Sequence, residues 1–593
     1  MGVPTFFYWL VSKYESHIIK QILENRIDIL YLDFNCAIHP AVKRNPKITV
    51  NQMYTEVCDY LANIIQFVDP QKEIYIAIDG VAPKAKMNQQ RLRRYKSVKD
   101  SAKVRELKIK HNKPVRNTPI DFNMISPGTD FMERLSEKLR KYLKTAPWLK
   151  PNMIIQLDDA SRPGEGEHKI MNDLRNRDSN YNVAIYGLDS DLIFLTLSNY
   201  YPNMVLVRET TQFQSIKKSN SNTKSKSGES NESGEFCYLD IEQLREKILE
   251  VLRPESSMEE LLKFNFRMFI DKPIFRPFTV RNEQLIIYDY VFICFMLGND
   301  FLPSLPLLVI REGGLDLIIQ VYKKIQWELQ STLILNVKDT GEFEVSNSFF
   351  EQMLFTLASI EDELLKRTTD NRERRIQNFY RKINSLEPYE RELEKINYIE
   401  DKVPDRIRQG YPNWRQRYYQ LHFDLYYKHP NDFARKVGRI CSNYLEGMKW
   451  TFLYYKGHIV DWWWSYNYDR APTATDLLNY YRSKSSGFNT IGFIEKPPVN
   501  CYVQLLSIMP PQSKHLLPET LQILMNSELL GYLYPVKVSL NCYNKKYLWE
   551  CHPKLPHLEI DKLVKAVDNL KYKMNSSEKN RIKIKPLYIV DTS

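Results

Sequence analysis

Four short apolar runs in the first third of the chain each reach a carboxylate at their end, and this constrains the fold more than any other feature. They cover residues 27–33, 73–80, 153–158 and 183–189, and the acids are Asp33, Asp79, Asp158 and Asp189. Each run has strand length and β-branched content. Helical patterns separate them, as at residues 50–68. This alternation predicts an α/β fold with a mainly parallel central sheet and flanking helices. In such a sheet the carboxyl ends of the strands line the functional crevice, so the terminal acids converge on one edge.

A strand-end Asp by itself is more often a helix N-cap than a ligand. Two acid-x-acid pairs change the weight of the pattern: Glu165 and Glu167 in Pro163-Gly164-Glu165-Gly166-Glu167-His168, and Asp189 and Asp191 around Ser190. Asp300 follows Gly298-Asn299 after a long apolar segment. Two like charges 4 Å apart repel by about 4 kcal/mol at an effective dielectric of 20. Converging Asp33, Asp79, Glu165, Glu167, Asp189, Asp191 and Asp300 therefore calls for divalent cations or for protonation. Oxygen ligands without a Cys or His cluster select Mg²⁺, with Mn²⁺ as the alternative, over Zn²⁺. Two such ions about 4 Å apart suit hydrolysis of a phosphodiester.

The net charge is +12, and it is not spread evenly. Residues 84–113 hold twelve basic side chains against Asp100 and Glu106, so this segment alone carries +10. Such density points to a phosphate-bearing partner, although a basic run is also what a solvated helix face looks like. Spacing sharpens the choice. Lys86, Gln90, Arg93 and Arg94 have offsets of 0, 4, 7 and 8, which at about 100° per residue place them within an arc of about 100°. Two guanidiniums, an ammonium and an amide on one face suit a terminal phosphate. Lys96 to Lys113 read as a solvated or backbone-tracking face.

The eight cysteines are scattered and show no Cys-x-x-Cys spacing. Cys36 and Cys294 read as core thiols, and a reducing, intracellular compartment is expected. No run of about 18 apolar residues is present, so no membrane span is expected. Residues 214–235 are low-complexity Ser/Asn/Lys/Gly/Glu and read as a flexible surface loop without chemistry. Residues 361–405 are charged and helix-prone. Beyond about 410 Trp and Tyr become dense, including Trp414, Trp450, Tyr454, Tyr455, Trp462, Trp463 and Trp464. The expected organisation is a nuclease-like domain at 1–330, a charged helical linker at 331–409, and a largely helical, aromatic-rich domain at 410–593.

At this point the sequence resembles the XRN-type 5′→3′ exoribonucleases. The resemblance is carried by Met1-Gly2-Val3-Pro4 with Phe6-Phe7, Tyr31-Leu32-Asp33-Phe34-Asn35 with Ile38-His39-Pro40, and Ile78-Asp79-Gly80-Val81-Ala82-Pro83-Lys84-Ala85-Lys86. It continues through Ser126-Pro127-Gly128-Thr129, Pro163-Gly164-Glu165-Gly166-Glu167-His168, Gly187-Leu188-Asp189-Ser190-Asp191 and Leu297-Gly298-Asn299-Asp300-Phe301. Weaker matches extend to Ala471-Pro472. The resemblance implies a PIN/flap-nuclease-like domain, with the seven acids as ligands of two Mg²⁺ ions. It implies that Lys86, Gln90, Arg93 and Arg94 hold the 5′-monophosphate of single-stranded RNA. It also implies base stacking by His39 and by Trp462 or Trp464, followed by processive release of mononucleotides. The expected protein is monomeric and intracellular, with the cytoplasm favoured over the nucleus. Cys36 stands where the family usually has Gly, and Arg162 where it usually has an aliphatic residue. The sequence ends soon after the second conserved region, so the partner-binding roles of long C-terminal extensions do not carry over. A flap-type DNA nuclease and a nucleic-acid scaffold with a dead site are the competing readings.

Overall fold

The computed structural model describes residues 10, 13–14, 17–43, 48–115, 120–210, 235–252, 282–338, 340–484, 487–543 and 545–593. The Met1–Phe7 motif and all but the last residue of the 214–235 loop lie outside them.

The predicted strands form the centre of an eight-stranded sheet. Its strands are β1 (Ile19–Lys20), β2 (Ile29–Asp33), β3 (Glu73–Ala77), β4 (Ile154–Asp158), β5 (Val183–Tyr186), β6 (Met204–Glu209), β7 (Phe236–Asp240) and β8 (Tyr588–Asp591). Their spatial order is β1-β7-β6-β5-β2-β3-β4-β8. Pairing is parallel from β6 through β5, β2 and β3 to β4, and antiparallel at both margins. The chain runs outward from β2 through β3 to β4, then returns to place β5 on the other side of β2. The β2/β5 boundary is therefore the topological switch point, where a crevice opens beyond the strand ends. Asp33 ends β2, opposite Ala77.

Alternation along β2 sorts its side chains between two cores. Leu30 and Leu32 face a core with Ile74, Ile76 and the apolar stripe of the helix Val50–Val68. Thr49 caps that helix reciprocally with Gln52, which fixes its start. Ile29 and Tyr31 face the opposite core, which continues without a break into the second region through Phe292, Phe350, Tyr419, Tyr444 and Trp450. That region is largely helical and includes the 26-residue helix Pro430–Tyr455. The charged stretch forms three successive helices, Asn347–Asp370, Arg372–Ile383 and Pro388–Asn397.

Two placements were not visible in the sequence pattern. β8, from the end of the chain, pairs with β4 through Tyr588↔Leu157 and Asp591↔Ile154, covering that edge of the sheet. The basic segment is one continuous helix, Lys84–Lys110, and it is partly docked rather than fully solvated. Arg91 is buried and donates to the carbonyls of Pro556 (2.7 Å) and Leu533 (2.5 Å). Lys99 donates to Val538 O at 2.9 Å, and Lys110 pairs with Glu392 at 2.6 Å.

Candidate metal centre and phosphate-binding helix

The carboxylates converge because four strand ends and two helix starts meet at the switch point. Label α1 the helix Asn35–Lys43 after β2, α2 the basic helix Lys84–Lys110 after β3, α3 the helix Gly166–Leu174 after β4, α4 the helix Asp191–Ser198 after β5, and α5 the helix Pro430–Tyr455. Asn35, at the start of α1, donates its amide to Asp79 Oδ2 at 2.7 Å. The Cys36 thiol donates to Asp33 Oδ2 at 3.0 Å, so this thiol serves the site as well as the core. The backbone N–H of Gly166, in the first turn of α3, donates to Asp79 Oδ1 at 2.7 Å, as a helix N-terminus does for an anion. No larger residue fits there. A Cβ on Gly166 would lie 2.7 Å from Asp33 Oδ1, 3.0 Å from Ala77 O and 3.5 Å from Asp79 Oδ1. Those same distances show how closely β2, β3 and α3 bring their acids together.

Glu165, Glu167 and Asp191 are buried beside them, and Asp300 stands at the rim. Asp189 occupies the turn between β5 and α4. The Arg208 guanidinium steadies that turn from beneath by donating to the carbonyls of Leu188 and Asp189. Lys169 is held below the site, 2.8 Å from Asp158 Oδ1, and donates to the carbonyls of Ile78 and Asp159. The fourth strand-end acid, Asp158, is therefore a structural ion-pair partner.

Lys86 enters the cluster from α2. Lys86 Nζ lies 2.8 Å from Glu165 Oε2 and 3.1 Å from Asp300 Oδ2. Burial alone would push this ammonium down, but Glu165, Asp300 and Glu167 overcome it and hold it well above its ordinary value. Lys86, with Lys169 acting on Asp79 from below, does not balance the acids. Burial and the Asp79 charge push Asp33 well above the usual carboxylate range. Burial likewise raises Glu167 well above it, and burial with the Asp300 charge pushes Asp191 up to about 8. A buried, oxygen-rich set with this surplus of negative charge fits hard divalent cations. Asp33, Asp79, Glu165, Glu167, Asp189, Asp191 and Asp300 are the residues that would hold them. His168 lies against the cluster, with one ring nitrogen and one oxygen each from Glu165 and Glu167 within 4.8 Å of one another. Burial keeps its imidazole neutral, and neither ring nitrogen has a hydrogen-bond partner among the described residues.

The second region reaches into the same centre. Tyr454 and Tyr455, the last two residues of α5, donate their hydroxyls to Glu165 Oε1 and to Asp191 Oδ1, the latter at 3.1 Å. The Tyr454 ring also lies 3.8 Å from that of His168. Sequence reasoning noted these tyrosines only as part of an aromatic stretch. Their partners lie more than 260 residues away, and no local spacing announces them. Replacing Tyr455 by Phe removes one hydrogen bond to a metal-site carboxylate and leaves the ring in place. Hydrogen bonds to charged groups are worth about 1.5–3 kcal/mol. Nuclease turnover is expected to fall about tenfold with the circular dichroism spectrum preserved, and unchanged turnover would show that the contact is idle.

The four phosphate-face residues are laid out along α2, spanning about 12 Å of its axis. Lys86 points into the carboxylates. The oxygen of the Gln90 amide has no hydrogen-bond partner among the described residues. Arg93 is exposed. Arg94 is anchored by Ser126 Oγ (2.7 Å), Asn123 O (3.3 Å) and Met509 Sδ (3.2 Å), and burial with the Arg93 charge pushes its guanidinium down to about 10. It stays cationic at neutral pH.

The two tryptophans separate clearly. Trp464 is core: it is 8% exposed, its ring is stacked on Trp450 at 5.0 Å, and it packs against Gly447. Trp462 is half-buried, has no aromatic partner among the described residues, and its carbonyl accepts the backbone N–H of Lys84 at the start of α2. His39 lies half-buried on α1, two turns at most from Asp33.

A crevice of buried carboxylates at the switch point of a parallel sheet, flanked by a basic helix, defines a centre for divalent-metal phosphoryl chemistry. Residues 1–210 match the family described as XRN 5′-3′ exonuclease N-terminus, and residues 281–403 and 383–593 match the Xrn1 helical domain. The chain belongs to the XRN family of 5′-3′ exonucleases. Its relatives include "5′-3′ exoribonuclease 2" of Debaryomyces hansenii, 28% identical over 99% of this chain and 71% of that protein. The protein of the same name from Arabidopsis thaliana is 27% identical over 98% of this chain and 68% of its own length. "5′-3′ exoribonuclease 1" of Saccharomyces cerevisiae is 26% identical over 98% of this chain, which spans 44% of it.

Proposed function

We propose that this chain is a 5′→3′ exoribonuclease that hydrolyses single-stranded, 5′-monophosphorylated RNA one nucleotide at a time, with two Mg²⁺ ions held by the seven carboxylates. The observation that carries this reading is the Lys86 side chain, which links the acidic centre to the phosphate-binding face of α2. When bound, the ions would activate water and stabilise the developing charge on the phosphodiester. The chain's own residues do the rest. Gln90, Arg93 and Arg94 receive the terminal phosphate, and Lys86 fixes its distance from the metal ligands. Asn35, Gly166, Tyr454 and Tyr455 hold Asp79, Glu165 and Asp191 in place. His39 and Trp462 are the rings suited to stack on the first bases, a sequence-tolerant contact worth about 1–3 kcal/mol per base. Replacing His39 by Ala is expected to slow digestion about tenfold while divalent-ion binding persists. Equal rates would remove its stacking role.

Metal binding has a signature independent of turnover. Asp191 rises from 3.8 to about 8 on folding, so it favours the folded state below its unfolded value and costs stability as pH climbs through 8. Metal-free protein is therefore expected to lose thermal stability between pH 5 and pH 8, and Mg²⁺ to raise the melting temperature more at pH 8 than at pH 5. A Mg²⁺ shift of equal size at both pH values would contradict this.

Matched RNA and DNA strands and flapped duplexes, each with and without EDTA, test the substrate. Digestion confined to single-stranded RNA and lost in EDTA supports the reading. Preferred cleavage of DNA flaps would favour a flap-type nuclease, and no cleavage at all a scaffold.

A further inference from the structure

A cavity of about 870 Å³ lies beside the metal centre and is touched by Asp300 and Ser190 at one end. It is lined by a different face of α2 from the phosphate receptor, through Asn88, Gln89, Leu92 and Lys96, and the two meet only at Arg93. Its far wall comes from the second region, where two basic side chains stand with the carboxylates of Asp469 and Glu550. Arg470 and Lys545 line it together with the imidazoles of His422 and His552. Among the described residues no carboxylate lies within ion-pair distance of Arg470 or Lys545. The Arg470 guanidinium donates to the carbonyl of Tyr543 at 2.6 Å, which fixes its direction without neutralising it. Both ring nitrogens of His422 are buried without a hydrogen-bond partner among the described residues. Four other cations of the cavity are paired: Arg375 with Glu400, Lys546 with Glu312, Arg311 with Glu550 and Lys96 with Asp100.

Two cations sharing one wall, with Asp469 and Glu550 acting on them only from beyond ion-pair distance, are costly. Burial and the Arg470 charge push Lys545 down to about 7, and burial with Lys545 and Arg470 pushes His552 down to about 3. An anion placed between them would remove that cost. The volume lies in the roughly 300–1,000 Å³ range of small-molecule sites and exceeds what a lone phosphate requires. The lining also carries the exposed Trp549, whose ring is able to receive a base.

We infer that this cavity is a binding site for a nucleoside 5′-monophosphate, with Arg470 and Lys545 on the phosphate and Trp549 against the base. The inference rests on the exoribonuclease reading, in which such a mononucleotide is the product released beside Asp300. The site would retain product after cleavage and make turnover sensitive to mononucleotide concentration.

Calorimetric titration of uridine and adenosine 5′-monophosphates into the full chain in EDTA tests it, compared across the parent protein, Arg470→Ala, Lys545→Ala and Arg94→Ala. Affinity at this site is expected to fall at least tenfold in the first two variants, whereas Arg94→Ala weakens only a separate site at the terminal-phosphate receptor, with no binding of uridine. Unchanged affinity in both Arg470→Ala and Lys545→Ala, or loss confined to Arg94→Ala, would overturn the site. Inorganic phosphate binding as tightly as the nucleotides would overturn the nucleotide assignment. Should Arg470→Ala melt early, Lys545→Met and the inhibition constant of added mononucleotide during RNA digestion replace it. That constant is expected to rise about tenfold, and an unchanged value would overturn the site. A chain that binds mononucleotide as described but digests no RNA would instead refute the exoribonuclease reading and leave the site standing.

Discussion

Asp191→Asn is expected to reduce RNA hydrolysis by about a thousandfold or more, equivalent to roughly 4 kcal/mol of barrier. Asp191 is buried at the start of α4, held by the Tyr455 hydroxyl, and shares its surroundings with Asp300 and Asp189. The isosteric amide keeps the shape and the hydrogen bond but removes one negative charge from the set that would hold the metal ions. The fold should survive, because Asp191 is destabilising when ionised and unmatched. Metal-free Asp191→Asn is therefore expected to melt at or above the parent temperature at pH 8. Parent-level cleavage by this variant in Mg²⁺ would remove Asp191 from the metal site. A lowered melting temperature would show that the carboxylate is structural.

The second large effect concerns the RNA terminus. RNA bearing a 5′-monophosphate is expected to be digested about a hundredfold faster than the same RNA with a 5′-hydroxyl, because each charge-assisted bond contributes about 1.5–3 kcal/mol. Arg93 is the residue to change first. It is exposed and makes no anchoring contact among the described residues, whereas Arg94 also ties α2 to Ser126 and Asn123. Arg93→Ala should cut the preference about tenfold by slowing only the phosphorylated substrate, and Arg93→Lys should restore part of it. A preference that survives Arg93→Ala intact would place phosphate recognition elsewhere.

Much of this was legible in the sequence because it is local. Strand runs that reach Asp33, Asp79 and Asp189 declare a parallel sheet and its functional edge together, and the 3.6-residue period declares which side chains of α2 share a face. The resemblance to the XRN enzymes added the 5′ polarity and the RNA substrate, which spacing alone did not supply. What stayed hidden depends on distant contacts. Nothing near Tyr454 and Tyr455 says that they will close over Glu165 and Asp191, and nothing near Tyr588 says that it will pair with β4. Trp462 and Trp464 differ by two positions in a tryptophan run, and only tertiary packing against Trp450 and Gly447 commits the second to the core. The helical period assigns Lys86 to the phosphate face, and its salt bridges to Glu165 and Asp300 add a tie to the acidic centre. The wall of Arg470 and Lys545 is likewise invisible until residues 75 apart face one cavity.

The most direct measurement is time-resolved digestion of a single-stranded RNA carrying a 5′-monophosphate and separate labels at its two ends, in Mg²⁺ and in EDTA. The expected result is immediate release of the 5′ label as a mononucleotide, late release of the 3′ label, no internal fragments, and no reaction in EDTA. Early release of the 3′ label, internal fragments, or undiminished digestion in EDTA would contradict a metal-dependent 5′→3′ exoribonuclease.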